Sequence, residues 1–192
     1  MRRLSLSVVP LMAFAAVLVT APEATAQARP ASPQAFAMGY TDIGPTIGLG
    51  GLGSASAAFG GRFERAIKPL PDMGNGMLGI QAGVDYYSWS SGNIGGYSWS
   101  YKYIPVGVTA NYHFALEDKR FDPFVGLGLG YNVVSCNWSG PNTVVDDCGY
   151  SSGIYFIGKA GARYFFNPKM AAYGDVGAGA ATLNLGLMFR LQ

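Results

Sequence analysis

The residues of this chain that could do chemistry are scattered singly rather than gathered in motifs: Arg62, Glu64, Gln81, Asp85, Asn111, His113, Lys159, Arg163, Asp175, Asn184 and Arg190. Four of them are basic and three acidic, the makings of a nearly neutral network of ion pairs. A hydrolytic site would need a serine beside a histidine-type base, with a third group orienting that base. The chain holds one histidine, His113, followed by Phe114 and Ala115. Ser88, Ser90, Ser91, Ser98 and Ser100 have no base within sequence reach, so no catalytic residue and no enzyme is expected. Cys136 and Cys148 share one Gly/Asn/Asp-rich stretch and are expected to form a disulfide in an exported chain. Two thiols without a nearby histidine are a poor ligand set, so neither a metal nor a cofactor is expected. The runs Gly48-Leu49-Gly50-Gly51-Leu52-Gly53 and Gly126-Leu127-Gly128-Leu129-Gly130 could pass for phosphate cradles. That mechanism needs a helix N-terminus directly after the loop, and each run continues instead as an alternating strand.

The elements that must position these residues are written in a period of two. From Leu183, the residues Leu183, Leu185, Leu187, Phe189 and Leu191 fall on one face, and Asn184, Gly186, Met188 and Arg190 on the other. Strands are predicted at Ile43 to Leu52, Ala55 to Ile67, Met77 to Trp89, Ser98 to Phe114, Asp122 to Ser135, Tyr150 to Phe166, Met170 to Ala178 and Ala181 to Leu191. A transmembrane strand needs about 9–11 residues, which these segments supply. In the third, Leu78, Ile80, Ala82, Val84 and Tyr86 oppose Gln81, Gly83, Asp85 and Tyr87; in the fourth, Ile104, Val106, Val108, Ala110 and Tyr112 oppose Gly107, Thr109, Asn111 and His113. The pattern is that of an all-β, eight-stranded, antiparallel up-and-down transmembrane β-barrel spanning 43–192, its apolar side facing lipid.

Composition agrees. Charged residues are 12% of the chain, about half the ~25% usual in soluble domains, and 28 residues are glycine. The formal charge of +2 gives nucleic acid nothing to sense. Arg2 and Arg3, the apolar stretch Leu4 to Val19 and Ala24-Thr25-Ala26 have the make-up of a signal peptide over 1–26, with the mature chain starting at Gln27. Residues 27–42, with Pro30 and Pro33, read as a flexible leader.

An even number of strands returns both ends to one side, the periplasm in an outer-membrane barrel. Loops Ser90 to Tyr97 and Cys136 to Gly149 then face outward, available to an extracellular ligand. Tyr86, Trp89, Trp99, Tyr101 and Tyr103 are expected as an outer aromatic girdle, and Phe114, Phe124, Tyr164, Phe166 and Phe189 as an inner one. At eight strands the interior is just wide enough for side chains to fill, so the inward polar residues are expected to plug the lumen. A narrow path for water, ions or small solutes is the alternative, and an exported lipocalin-like carrier with reversed faces is a second.

The stretch Asp122-Pro123-Phe124-Val125-Gly126-Leu127-Gly128-Leu129-Gly130-Tyr131, then Gly158-Lys159-Ala160-Gly161-Ala162-Arg163-Tyr164 and the closing Leu183 to Leu191 strand, resembles the small eight-stranded group of the bacterial outer-membrane β-barrel superfamily. That group holds the barrel of outer membrane protein A, outer membrane protein X and the opacity-type surface proteins. The resemblance implies an outer-membrane protein of a Gram-negative envelope, structural or surface-interacting. Its partners would be outer-membrane lipid, lipopolysaccharide and the outer-membrane assembly machinery. The shared motif contains no catalytic residue.

Overall fold

The computed structural model describes residues 36–91, 97–140 and 149–191. The expected signal peptide, the leader up to residue 35 and Cys148 lie outside them. Eight strands follow in order: β1 (Thr41–Leu49), β2 (Ala58–Leu70), β3 (Gly76–Ser90), β4 (Trp99–His113), β5 (Phe121–Trp138), β6 (Gly153–Asn167), β7 (Met170–Ala178) and β8 (Leu183–Leu191). Each pairs antiparallel with the next, and β8 returns to β1 from Thr41↔Leu191 to Leu49↔Leu183, closing the sheet into a barrel. Closure leaves no strand edge, so the backbone amides and carbonyls of the wall find partners without water.

The period of two survives in three dimensions. Ile47, Phe63, Val84, Val108, Leu129, Phe156, Val176 and Leu187, one from each strand in turn, are exposed, whereas Asp42, Glu64, Asp85, Asn111, Arg163 and Asp175 are buried. A soluble monomer rarely exposes a contiguous apolar patch above a few hundred Å²; here the apolar exterior runs around every strand. The molecule is a transmembrane up-and-down β-barrel, greasy outside and polar within. Among the described residues no helix is long and apolar enough to span a membrane. The wall is uneven: β1, β7 and β8 have 9 residues each, while β5 has 18 and β3, β4 and β6 have 15. The long strands extend well beyond the ~9–11 residues that a bilayer needs, raising a partial collar at the end opposite the start of β1.

Four expectations are corrected. The first hairpin turns over a wider loop than the gap expected between Leu52 and Ala55: β1 ends at Leu49, and Gly50, Gly51 and Gly53 take φ of 74°, 72° and 63°. This is the left-handed region, where glycine has no Cβ to clash. The leader is packed at its end. Phe36 and Tyr40 are 2% and 1% exposed, and Asp42 already belongs to β1. The outer girdle is largely internal. Tyr86 faces outward, but Tyr101 and Tyr103 are buried, and Trp89 and Trp99 pack against the same core as Tyr87, Leu52, Ala58 and Ala181. Their parity matches Gln81 and Asp85 rather than the lipid-facing residues, and the collar's inner surface has no lipid to meet. Phe124, expected in the inner girdle, is also buried, whereas Phe114, Tyr164, Phe166 and Phe189 are exposed as expected.

Candidate functional site: the barrel interior

The inward side chains fall into three layers. The first, near the start of β1, is built around Arg163 of β6, whose side chain is fully buried. Its Nε donates to Asp42 Oδ2 at 2.9 Å, its Nη1 to Asp122 Oδ2 at 3.3 Å, and its Nη2 to Glu64 Oε2. Phe36, Phe124 and Tyr173 surround the guanidinium, ring centroids 5.2, 5.4 and 5.6 Å from its carbon. Desolvating a charge costs several kcal/mol unless ionic partners and hydrogen bonds replace water, and this guanidinium has both.

His113, last residue of β4, completes the layer. Its Nδ1 lies 2.9 Å from Asp122 Oδ1 and its Nε2 2.9 Å from Glu64 Oε1. Ionised carboxylates only accept, so the ring satisfies both only when each nitrogen carries a proton. Glu64 also receives Asn111 Nδ2 at 2.8 Å and Gln81 Nε2 at 2.9 Å. Phe36 covers the imidazole face with ring centroids 3.6 Å apart and planes 10° from parallel. Tyr40, just before β1, donates its hydroxyl to Asp42 Oδ2 at 3.0 Å; burial, and then the Asp42 charge, push this phenol well above its ordinary range. His113 is thus clamped between carboxylates and stacked on a ring, an arrangement that holds a charge rather than activating a nucleophile.

The middle layer centres on Arg62 and Asp85, paired through two hydrogen bonds of 2.9 and 3.0 Å. Arg62 Nη2 continues to Asn184 Oδ1 at 3.2 Å, and Asn184 Nδ2 to Asp175 Oδ1 at 2.8 Å. Tyr173 donates its hydroxyl to Asp175, and Lys159, 3.7 Å from the same carboxylate, donates to Gln81, which joins this layer to the first. A cavity of about 40 Å³ beside Lys159, Asp175 and Asn184 is sized for water. The third layer is aromatic: Tyr87 stacks on Tyr103 with centroids 4.8 Å apart, Trp89 on Tyr101 at 4.0 Å, and Leu52 turns in beneath them.

Sequence parity brings together Arg62, Glu64, Gln81, Asp85, Asn111, His113, Lys159, Arg163, Asp175 and Asn184 in this interior. Arg190 is the exception: it is exposed at the rim, its guanidinium 5.2 Å from the Tyr40 ring. Asp42 and Asp122 enter in its place, which reverses the expected balance. Arg62, Lys159, Arg163 and a charged His113 now face five carboxylates, those of Asp42, Glu64, Asp85, Asp122 and Asp175. The signal for Asp42 was present, since it shares parity with Gly44, Thr46 and Gly48; so was that for Asp122, two residues before Phe124, and for Tyr173, two before Asp175. Phe36 and Tyr40 had no such signal, because they precede the first strand.

Interior and exterior together define a small membrane-spanning barrel with a polar interior. No protein-family model matches the chain, and no curated protein sequence does. Among solved structures, the chain is similar to the N-terminal β-barrel domain of Pseudomonas aeruginosa OprF, at 14% identity and a TM-score of 0.47, covering 80% of this chain and 98% of that one. It is also similar to Ail, the attachment invasion locus protein of Yersinia pestis, in a complex with the heparin analogue sucrose octasulfate, at 11% identity and a TM-score of 0.45, covering 80% and 99%. The fold assignment stands on the strand order and register of the chain itself.

Proposed function

We propose that this protein is a sealed, non-catalytic barrel of the outer membrane, structural in role, with the end holding the start of β1 and the close of β8 in the periplasm. The observation that carries the reading is the burial of Arg163: a guanidinium at 0% exposure, with carboxylates and rings on its sides, leaves no water-filled bore at its level. The aromatic layer above and Phe36 below support the same conclusion. The exposed apolar belt meets acyl chains, and lipopolysaccharide is the lipid around the outer half. Insertion relies on the outer-membrane assembly machinery.

Two measurements test it. Purified protein in a planar bilayer gives no steady conductance, whereas unitary openings in the unmodified protein would overturn the sealed reading. Carbonate-washed outer membranes retain the protein, and recovery in the soluble periplasmic fraction would overturn the membrane reading.

A further inference from the structure

Above the Arg62–Asp85 pair the barrel wall carries a recess. One row across the sheet is Pro105, Asn132 and Gly153, partners in register on β4, β5 and β6. The inward position at Gly153 has no side chain, and a Cβ built there meets nothing within 4 Å. In the next inward row the Tyr155 ring lies against its partner Gly130, where a Cβ would collide with the ring. Together these leave a cavity of about 320 Å³, lined by Tyr87, Pro105, Asn132 and Tyr155, with Ser151 and Gly179 on its exposed rim. Among the described residues, no charged side chain lines it. The Asn132 side chain is hydrogen-bonded to Tyr87, while its Oδ1 is buried there without a hydrogen-bond partner.

We infer that this recess is a binding site for an uncharged saccharide unit of hexose size. The volume sits at the lower end of the ~300–1,000 Å³ typical of small-molecule sites, enough for one ring and not for a lipid chain. Aromatic walls offer flat apolar surface to the C–H face of a sugar, while an amide and hydroxyls around them meet its hydroxyl edge. The orphaned amide oxygen is the strongest pointer, because a buried acceptor without a donor costs free energy that a ligand hydroxyl recovers. The absence of charge argues against phosphorylated, sulfated or acidic sugars, which would enter without a counter-ion. This site goes beyond the sealed-barrel reading and does not depend on it: conductance judges the seal, and ligand titration judges the recess.

The test is a titration of the purified full chain in detergent micelles with methyl glucoside, methyl galactoside and methyl mannoside, followed by amide NMR shifts. At least one of the three is expected to move the Asn132 and Gly153 signals saturably, with a Kd of about 1–10 mM, as suits so small a ligand. Gly153→Leu, which fills the open space, is expected to abolish those shifts while leaving heat-modifiable gel migration unchanged. Asn132→Leu is expected to weaken binding by roughly tenfold, the scale of one lost hydrogen bond. No saturable shift with any of the three sugars would overturn the proposal. So would undiminished binding by a folded Gly153→Leu protein, or tighter binding of glucose 6-phosphate than of methyl glucoside.

Discussion

Replacing Arg163 with methionine keeps most of the side chain's length and apolar contact but removes the three hydrogen bonds that its guanidinium gives to Asp42, Glu64 and Asp122. The loss is not three broken pairs. His113 still faces Asp122 and Glu64, Gln81 and Asn111 still serve Glu64, and Tyr40 still donates to Asp42. The expected cost is therefore that of breaking one buried pair, about 3–5 kcal/mol, most of it from uncompensated carboxylate charge. With an m-value of about 2 kcal/mol/M, the urea midpoint of the refolded protein should fall by about 1.5–2.5 M. Intrinsic fluorescence and heat-modifiable gel migration read that midpoint independently. Arg163→Met with Glu64→Gln should then be less damaged than the sum of the two single variants, because each removes the partner that makes the other's loss costly. A midpoint that falls by less than about 0.5 M, or strict additivity in the double variant, would refute the view that charge matching around Arg163 holds the lumen together.

Gly79→Ala tests volume rather than charge. A Cβ there would lie 2.5 Å from Glu64 Oε1, 2.9 Å from Phe36 Cζ and 3.2 Å from His113 Nε2, so urea titration should show a loss of about 1–3 kcal/mol; an unchanged midpoint would mean that the layer yields freely. Phe36→Ala removes the ring stacked on His113 and set beside Arg163, and should cost about 3–5 kcal/mol in the same assay. A negligible effect would return Phe36 to an unpacked leader. For the proposed disulfide, Cys136 and Cys148 of the exported, folded protein should resist alkylation until a reductant is added, and labelling without reductant would rule the bond out.

How much was legible depended on whether a residue lies inside a strand of fixed register. Within β3, β4, β5 and β8 a single alternation assigns every side chain, because a slip of one residue would move Leu185 and Leu187 into the lumen and Asn184 into lipid. Parity therefore located Asp85 and Asn111 without knowledge of their partners. It could not say which carboxylate meets Arg163, since Asp42, Glu64 and Asp122 come from β1, β2 and β5 and converge only through the barrel's closure. Depth along the axis was also hidden. Trp89, Trp99, Tyr101 and Tyr103 looked like an interfacial girdle because they cluster at strand ends. β3 and β4 continue beyond the neighbouring short strands, so that end is a collar with an inner face of its own. Arg190 failed for the matching reason: its parity is inward, yet it sits one residue from the end of β8, where inward means the open rim.

Large inward side chains are matched throughout by inward glycines. A Cβ on Gly83 would lie 3.0 Å from Arg62 Cδ, one on Gly126 would collide with Asn111 Oδ1, and one on Gly130 would collide with the Tyr155 ring. An eight-stranded ring fixes the cross-section, so each long side chain must be offset by an absent one on a facing or neighbouring strand. Gly79 has the same relation to Phe36, a residue outside the strands, so the space for the N-terminal segment is written into the wall of β3. Volume is thus the first constraint on this interior and charge the second. A paired change that preserves shape, such as Arg62→Met with Asp85→Leu, removes donor and acceptor together and should cost far less than either change alone. If the paired variant proves worse than Arg62→Met, the ion pair is itself what holds the layer, and the order of the two constraints is reversed.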